Sequence, residues 1–187
     1  MTIHSTTILA VAHAGKLVFA GDGQVTVNNT IMKHGAMKIR NLEDRAVLAG
    51  FAGSAADSFT LFERFEAKLS EYNGLLPRAS VELAKEWRTD RYLRKLEAMM
   101  VVGDRASLFL LSGVGDVIQP DDGVLAIGSG GNFALSAARA LLRGAGKELS
   151  ARRVAEISMG IAAEICPFTN GNVHFEEIES DWTPRNV

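Results

Sequence analysis

Thr6-Thr7-Ile8-Leu9-Ala10-Val11-Ala12 sets two adjacent hydroxyls at the head of an apolar run near the start of the chain. A run of this kind reads as a buried strand, and a strand would hold the Thr6 hydroxyl against a sheet. A cut between Ser5 and Thr6 would add a free α-amine, whose pKa of about 7.7–8.0 suits a base near neutral pH. Nucleophile and base would then be one residue. A frayed terminus leading into an ordinary first strand accounts for the same residues, so the choice rests on the next fifty positions of the chain.

Those positions hold the parts that a one-residue nucleophile needs. Ala20-Gly21-Asp22-Gly23-Gln24 puts a carboxylate in a tight glycine turn after the apolar Leu17-Val18-Phe19, and Met37-Lys38-Ile39-Arg40 puts an ammonium on a short alternating segment. Leu48-Ala49-Gly50-Phe51-Ala52-Gly53-Ser54 is a glycine-rich strand end whose backbone N–H groups would be open to a developing oxyanion. Lys38 would lower the cost of an alkoxide, Asp22 would keep Lys38 charged and oriented, and each N–H donor would stabilise a tetrahedral intermediate by about 3–4 kcal/mol.

The rest of the chain sets these residues on a layered frame. Strand-like runs cover 7–12, 17–20 and 47–52, separated by Gly, Asn and Asp turns. Phe59, Phe62, Phe65 and Leu69 recur at helical steps and are expected in the core. Pro77 opens a second helix expected to carry Val81, Ala84 and Trp87, then Leu93, Leu96 and Met100. Strands are expected again at 99–102, 107–111, 117–119 and 124–127, then helices near 132–142 and 150–165 and a last strand near 173–178. Strands, a helix pair, strands and a helix pair make an α+β domain.

Thr6-Thr7-Ile8, Gly21-Asp22-Gly23-Gln24, Met32-Lys33, Lys38-Ile39-Arg40, Ala49-Gly50-Phe51-Ala52-Gly53, the segment from Glu82 to Asp90 and Ala126-Ile127-Gly128-Ser129-Gly130-Gly131 together resemble the HslV (ClpQ) family. Members of that family are the peptidase subunits of a bacterial ATP-dependent protease. The likeness runs from Thr6 to about Thr169. It implies the four-layer αββα sandwich of the N-terminal-nucleophile hydrolases, a propeptide of residues 1–5 and a single threonine-peptidase domain over 6–187. Thr6 would be the nucleophile, with Lys38, Asp22, the Gly50 N–H and Ser129 in support. The resemblance also implies a monovalent cation, sodium, on the carbonyls of Ala163, Cys166 and Thr169. Ala163 stands where the family commonly has glycine, and Pro167 follows the cysteine. The implied partners are the AAA+ unfoldase HslU, further copies in two stacked hexameric rings, and unfolded polypeptide as substrate. Switching-on by the unfoldase is part of the same expectation.

Composition agrees without adding to this. A chain of 187 residues, 47% hydrophobic and 22% charged, suits one domain. A net charge of −2 with no basic block gives no reason to expect nucleic acid. Cys166 is the single cysteine, which rules out an internal disulfide and fits a reducing compartment. No apolar stretch approaches the roughly 18 residues of a membrane span, and neither Lys nor Arg precedes Thr6, so a cytoplasmic protein is expected. His4, His13 and His34 lack ligand spacing for zinc. A Cys166–His174 thiol pair is less economical than a buried inert thiol. Arg88, Arg91 and Arg94 with Glu82, Glu86 and Asp90 read as a solvated face or a subunit contact. Three alternatives stay open: a proteasome β-type subunit, a catalytically silent ring subunit, and a phosphate-binding module on the Gly128–Gly131 turn.

Overall fold

A computed structural model describes residues 3–4, 6–42, 44, 46–96, 98–145 and 148–184. The apolar run after Thr6 becomes β2 (Thr7–His13), preceded by the short β1 (Ile3–His4), and it turns back as β3 (Lys16–Asp22). Ala14 and Gly15 make the reversal with φ of 49° and 80°. Two consecutive left-handed residues give the turn whose twist matches a two-residue hairpin. β4 (Val25–Val27) pairs with β1 on one side and with β5 (Thr30–Lys33) on the other in a three-stranded side sheet. β6 (Ile39–Leu42) and β7 (Val47–Gly53) follow, then α1 (Ala55–Glu71) and α2 (Leu76–Thr89). β8 (Ala98–Gly103), β9 (Leu108–Ser112), β10 (Val117–Ile118) and β11 (Val124–Gly128) lead to α3 (Gly131–Ala145), α4 (Ala151–Ile165) and β12 (Val173–Glu179).

Two antiparallel sheets form the centre, one in the order β11-β2-β3-β12 and the other β10-β9-β8-β7-β6. The period-two alternation of β2 explains how they stack. Ile8, Ala10 and Ala12 join Leu17 and Phe19 in a core shared with Ile39, Leu48, Ala52 and Val101 of the other sheet. Leu9 and Val11 face the opposite way, onto Ala134, Ala138, Val154, Ala155 and Met159 of α3 and α4. On the far side, Ala49, Phe51, Met100 and Leu111 pack against Leu61, Phe65, Leu83 and Trp87 of α1 and α2. Successive residues of one buried strand thus serve two cores. The layers run helix, sheet, sheet, helix, which is the expected αββα sandwich.

Two helical expectations need correction. Phe59 was expected in the core but is 58% exposed, and Phe62 is only partly buried. The buried stripe of α1 is Leu61, Phe65 and Leu69, at four-residue steps. Two three-residue steps back from Phe65 rotate Phe59 by about 120° around the helix, away from the sheet. The second helix also stops sooner than its apolar pattern suggests. α2 ends at Thr89, Asp90 Oδ1 accepts from the backbone N–H groups of Tyr92 and Leu93, and the chain continues as a 3-10 turn over Leu93–Lys95. An aspartate that offers the backbone a local acceptor competes with helix continuation. Val81 is also more exposed than a core position. No helix among the described residues is long and apolar enough to cross a membrane.

Candidate active site

β2 and β3 bring Thr6, Thr7 and Asp22 to one end of the four-stranded sheet, since Ile8 pairs with Gly21. Asp22 is fully buried. Its Oδ1 accepts from the Thr7 N–H at 2.7 Å and from Lys38 Nζ at 2.7 Å, and its Oδ2 accepts from the Gln24 N–H at 3.0 Å. Lys38 Nζ also donates to the Gln24 carbonyl at 2.6 Å. Three donors thus converge on the Asp22 carboxylate and fix its orientation. Burial pushes the Lys38 pKa below the ordinary lysine value, against the opposing pull of the Asp22 charge and hydrogen bond. The ammonium is thus easier to neutralise than a surface lysine, and it is fixed in direction.

Thr6 is buried, and with Lys38 it lines a cleft of about 160 Å³. Met37, Arg40, Phe51, Phe59 and Phe62 form much of the remaining wall. The Arg40 guanidinium lies over the Phe59 and Phe62 rings, 5.5 and 6.0 Å from their centroids, and Phe62 meets Phe51 edge-on. The two phenylalanines expected in the core therefore face the space in front of Thr6. Ser5, on the other side of the expected cut, lies outside the described residues, as do Met1 and Thr2.

The Gly128–Gly131 turn joins β11 to α3 and closes on the same threonines. The Ser129 N–H donates to the Thr6 carbonyl at 2.8 Å, and the Gly130 N–H donates to Thr7 Oγ1 at 2.9 Å. Gly128 has φ of 89°, and a Cβ there would collide with the Thr6 carbonyl oxygen. The turn therefore serves to hold the start of β2. Gly50 has a related reason to be glycine: a Cβ would stand 2.7 Å from Ile8 Cγ2, so its absence lets β7 approach β2.

Beyond α4, Cys166 is buried and caps the helix, its N–H donating to the Ala162 carbonyl at 2.8 Å, while the Cys166 carbonyl accepts from the Thr169 N–H at 3.1 Å. Ala163 lies inside α4 and is not among the residues with positive φ, so alanine in place of glycine brings no strain. Four residues on stands Pro167, which has no N–H to donate to the Ala163 carbonyl. That oxygen is suited to a hard cation. Among the described residues no group of three or more His, Cys, Asp or Glu side chains could hold a metal, so a cation here would rely on carbonyls.

Three further roles, those of Gln24, Asn170 and the Thr7–Thr169 hydroxyls, are visible only in the structure. Gln24 is buried, binds both Asp22 and Lys38 through its backbone, and donates through Nε2 to the Pro167 carbonyl at 2.9 Å and to Thr26 Oγ1 at 2.9 Å. Asn170 accepts from the Gly23 N–H at 3.2 Å and donates to the His34 carbonyl at 3.1 Å, tying the Asp22 turn to the segment before Lys38. The Thr7 hydroxyl is buried with that of Thr169. The one available signal was polarity, a glutamine and a threonine where the pattern is otherwise apolar or glycine.

The family model for a proteasome subunit matches residues 2–178. The ATP-dependent protease subunit ClpQ of Bacillus velezensis is 61% identical over 179 residues, spanning 95% of this chain and 99% of the relative. The ATP-dependent protease subunit HslV of a Geobacillus species is 60% identical over 176 residues, 94% and 98% of the two chains. The crystal structure of eukaryotic HslV from Trypanosoma brucei superposes with a TM-score of 0.88 at 44% identity, over 92% of this chain and 99% of that one. With its sandwich, its leading threonines and the buried lysine–aspartate pair beside them, the chain belongs to the proteasome-subunit family, in its HslV/ClpQ branch of N-terminal-nucleophile threonine peptidases.

Proposed function

We propose that Thr6, freed by cleavage after Ser5, is the nucleophile with which this subunit hydrolyses peptide bonds of unfolded polypeptides. The observation that carries the residue assignment is the meeting of Thr6 and Lys38 on one cleft, with Lys38 bonded to a fully buried Asp22. In the uncut chain the Thr6 nitrogen belongs to a peptide bond and cannot take a proton. After the cut, the α-amine accepts the Oγ proton, directly or through a water, as Oγ attacks the scissile carbonyl. The Lys38 charge stabilises the forming alkoxide and Ser129 assists proton movement, whereas Gly50, expected at the oxyanion, stands mid-β7 between Ile39 and Val101, where its N–H belongs to the sheet ladder. Collapse of the tetrahedral intermediate breaks the C–N bond, the leaving amine takes the proton, and water hydrolyses the resulting Thr6 ester.

Residues 1–5 are then a propeptide and 6–187 the working domain. The relatives bear the name of ATP-dependent protease subunits. This supports an HslU-type AAA+ unfoldase as partner; a ring assembly of two stacked hexamers, action in the cytoplasm and activation by the docked unfoldase belong to the same proposal. The carbonyls of Ala163, Cys166 and Thr169 would hold a sodium ion, which would supply rigidity to the loop after α4 and take no part in bond breaking. Intact mass of the purified protein, with fluorogenic-peptide hydrolysis in the presence and absence of the unfoldase and nucleotide, tests the reading. The mass should correspond to a chain starting at Thr6, and Thr6→Ala should be inactive. Activity surviving in Thr6→Ala with Thr2 intact overturns the assignment.

A further inference from the structure

Thr7 is fully buried at the head of the apolar run Ile8–Ala12, one residue after the proposed nucleophile. Its hydroxyl lies 2.6 Å from that of Thr169, which is itself 4% exposed and comes from the far end of the chain, in the loop between α4 and β12. Thr7 Oγ1 also accepts from the Gly130 N–H, and its own backbone N–H donates to Asp22 Oδ1. Thr7 is therefore the point where the Gly128–Gly131 turn, the Asp22 turn and the loop after α4 converge. A Cβ at Gly130 would press on both hydroxyls, so the pair is sealed by close backbone packing.

Two buried hydroxyls at this distance share one hydrogen bond, and a buried polar group without its partner carries a desolvation cost. The contact therefore holds only while the loop and β2 keep their relative places. Pro167 and Asn170, on either side of Thr169, bond to Gln24 and to Gly23. The same short loop thus grips the residues that orient Lys38.

Resting on the reading of Thr6 as nucleophile, we propose that Thr7 and Thr169 form a positioning pair, whose hydroxyl–hydroxyl bond sets the height of Thr6 relative to Lys38 and makes its alignment depend on the loop after α4. Neither hydroxyl touches the reacting atoms. Their loss displaces the nucleophile without closing the cleft, so turnover falls while substrate binding is kept.

The test uses the processed, assembled peptidase with its unfoldase, and a fluorogenic peptide. Thr169→Val keeps the side-chain shape and the main-chain carbonyl but removes the hydroxyl, Thr169→Ser keeps the hydroxyl, and Thr7→Val approaches the bond from the other side. Thr169→Val and Thr7→Val should each lower kcat by about 10- to 100-fold with KM within twofold. The double variant should lose little more than either single one, and Thr169→Ser should recover most of the rate. Normal kcat in both valine variants overturns the proposal, and so does a Thr169→Ser that stays as slow as Thr169→Val. Valine variants that fail to fold or assemble also overturn it, because the hydroxyls would then serve stability alone. Thr6→Ala, run alongside, separates the failures: its inactivity with unimpaired valine variants rejects the positioning pair only, whereas its activity rejects the underlying reading.

Discussion

The two helix–sheet faces of the sandwich solve the same packing problem with different residues. α3 and α4 meet the four-stranded sheet largely through small side chains, Ala134, Ala138, Ala151, Ala155 and Ala162, with Val154 and Met159 between them. α1 and α2 meet the other sheet through Leu61, Phe65, Leu69, Leu83 and Trp87. Small residues let the helix pair lie close to β2 and β3, and the end of that sheet is locked by backbone donors from the Gly128–Gly131 turn and Gln24. Bulky residues fill the opposite core, but the first turns of α1 leave Phe59 and Phe62 leaning over a cleft. Under the proposed function, one face fixes the reacting groups and the other admits a substrate. Lys38 stands between them, at the entry to β6 of the second sheet and bonded to Asp22 of the first.

The hardest blow to this division is the loss of Lys38, the charge that bridges the two faces. Lys38→Ala should lower kcat by about two to four orders of magnitude, in line with removal of a preorganised charge worth about 3–5 kcal/mol in a water-poor site. Fold and ring assembly should survive, as seen by circular dichroism and size-exclusion chromatography. Arginine should not restore the rate, because its planar guanidinium does not fit a place bounded by Asp22 Oδ1 and the Gln24 carbonyl. Near-normal hydrolysis by Lys38→Ala would make the lysine a structural strut.

A smaller effect arises from the balance on Lys38 itself. Desolvation lowers its pKa, and the Asp22 charge and hydrogen bond raise it in opposition. In the proposed mechanism the protonated form is the active one, so the alkaline fall of kcat should begin below the ordinary lysine range. Asp22→Asn removes the raising influence and leaves the burial, so the pKa must drop further and the alkaline limb must move to lower pH. The rate at neutral pH should fall by about tenfold. A pH–kcat profile of the two proteins decides the matter, and an unmoved limb would separate Lys38 from the titration.

The sequence made most of this frame legible because β2, β3, β7 and β11 are long apolar runs bounded by glycine, and the four helices carry regular stripes. The residues Thr6, Asp22 and Lys38 stood out because each is polar at a place where a strand or glycine turn gives no structural need for it. β4 and β5 did not stand out, since an edge strand of the side sheet with all four residues exposed has no apolar alternation to read. Gln24, Asn170 and Thr169 act through side-chain bonds to partners well over a hundred positions away, and no local pattern records a contact of that range. Phe59 misled for a physical reason, as three-residue steps drift around a helix while the buried stripe keeps to four-residue steps.

Phe59 and Phe65 give the mildest and sharpest version of the comparison, as they are the same residue type on one helix with opposite duties. Phe65 is fully buried in the helix–sheet core, and truncation to alanine should cost about 3–5 kcal/mol of stability through lost burial and the cavity left behind. Phe59 is more than half exposed and lines the cleft beside Thr6. Phe59→Ala should change stability by less than about 1 kcal/mol. Its cost should fall on substrate: KM for a peptide with a large apolar residue at the cleavage site should rise about three- to tenfold, equivalent to losing roughly 0.7–1.4 kcal/mol of apolar contact, with kcat little changed. Denaturant melts and Michaelis–Menten kinetics on the two variants separate the effects. A Phe59→Ala that unfolds like Phe65→Ala would return the residue to the core, and an unchanged KM would mean that the substrate side chain does not enter this cleft.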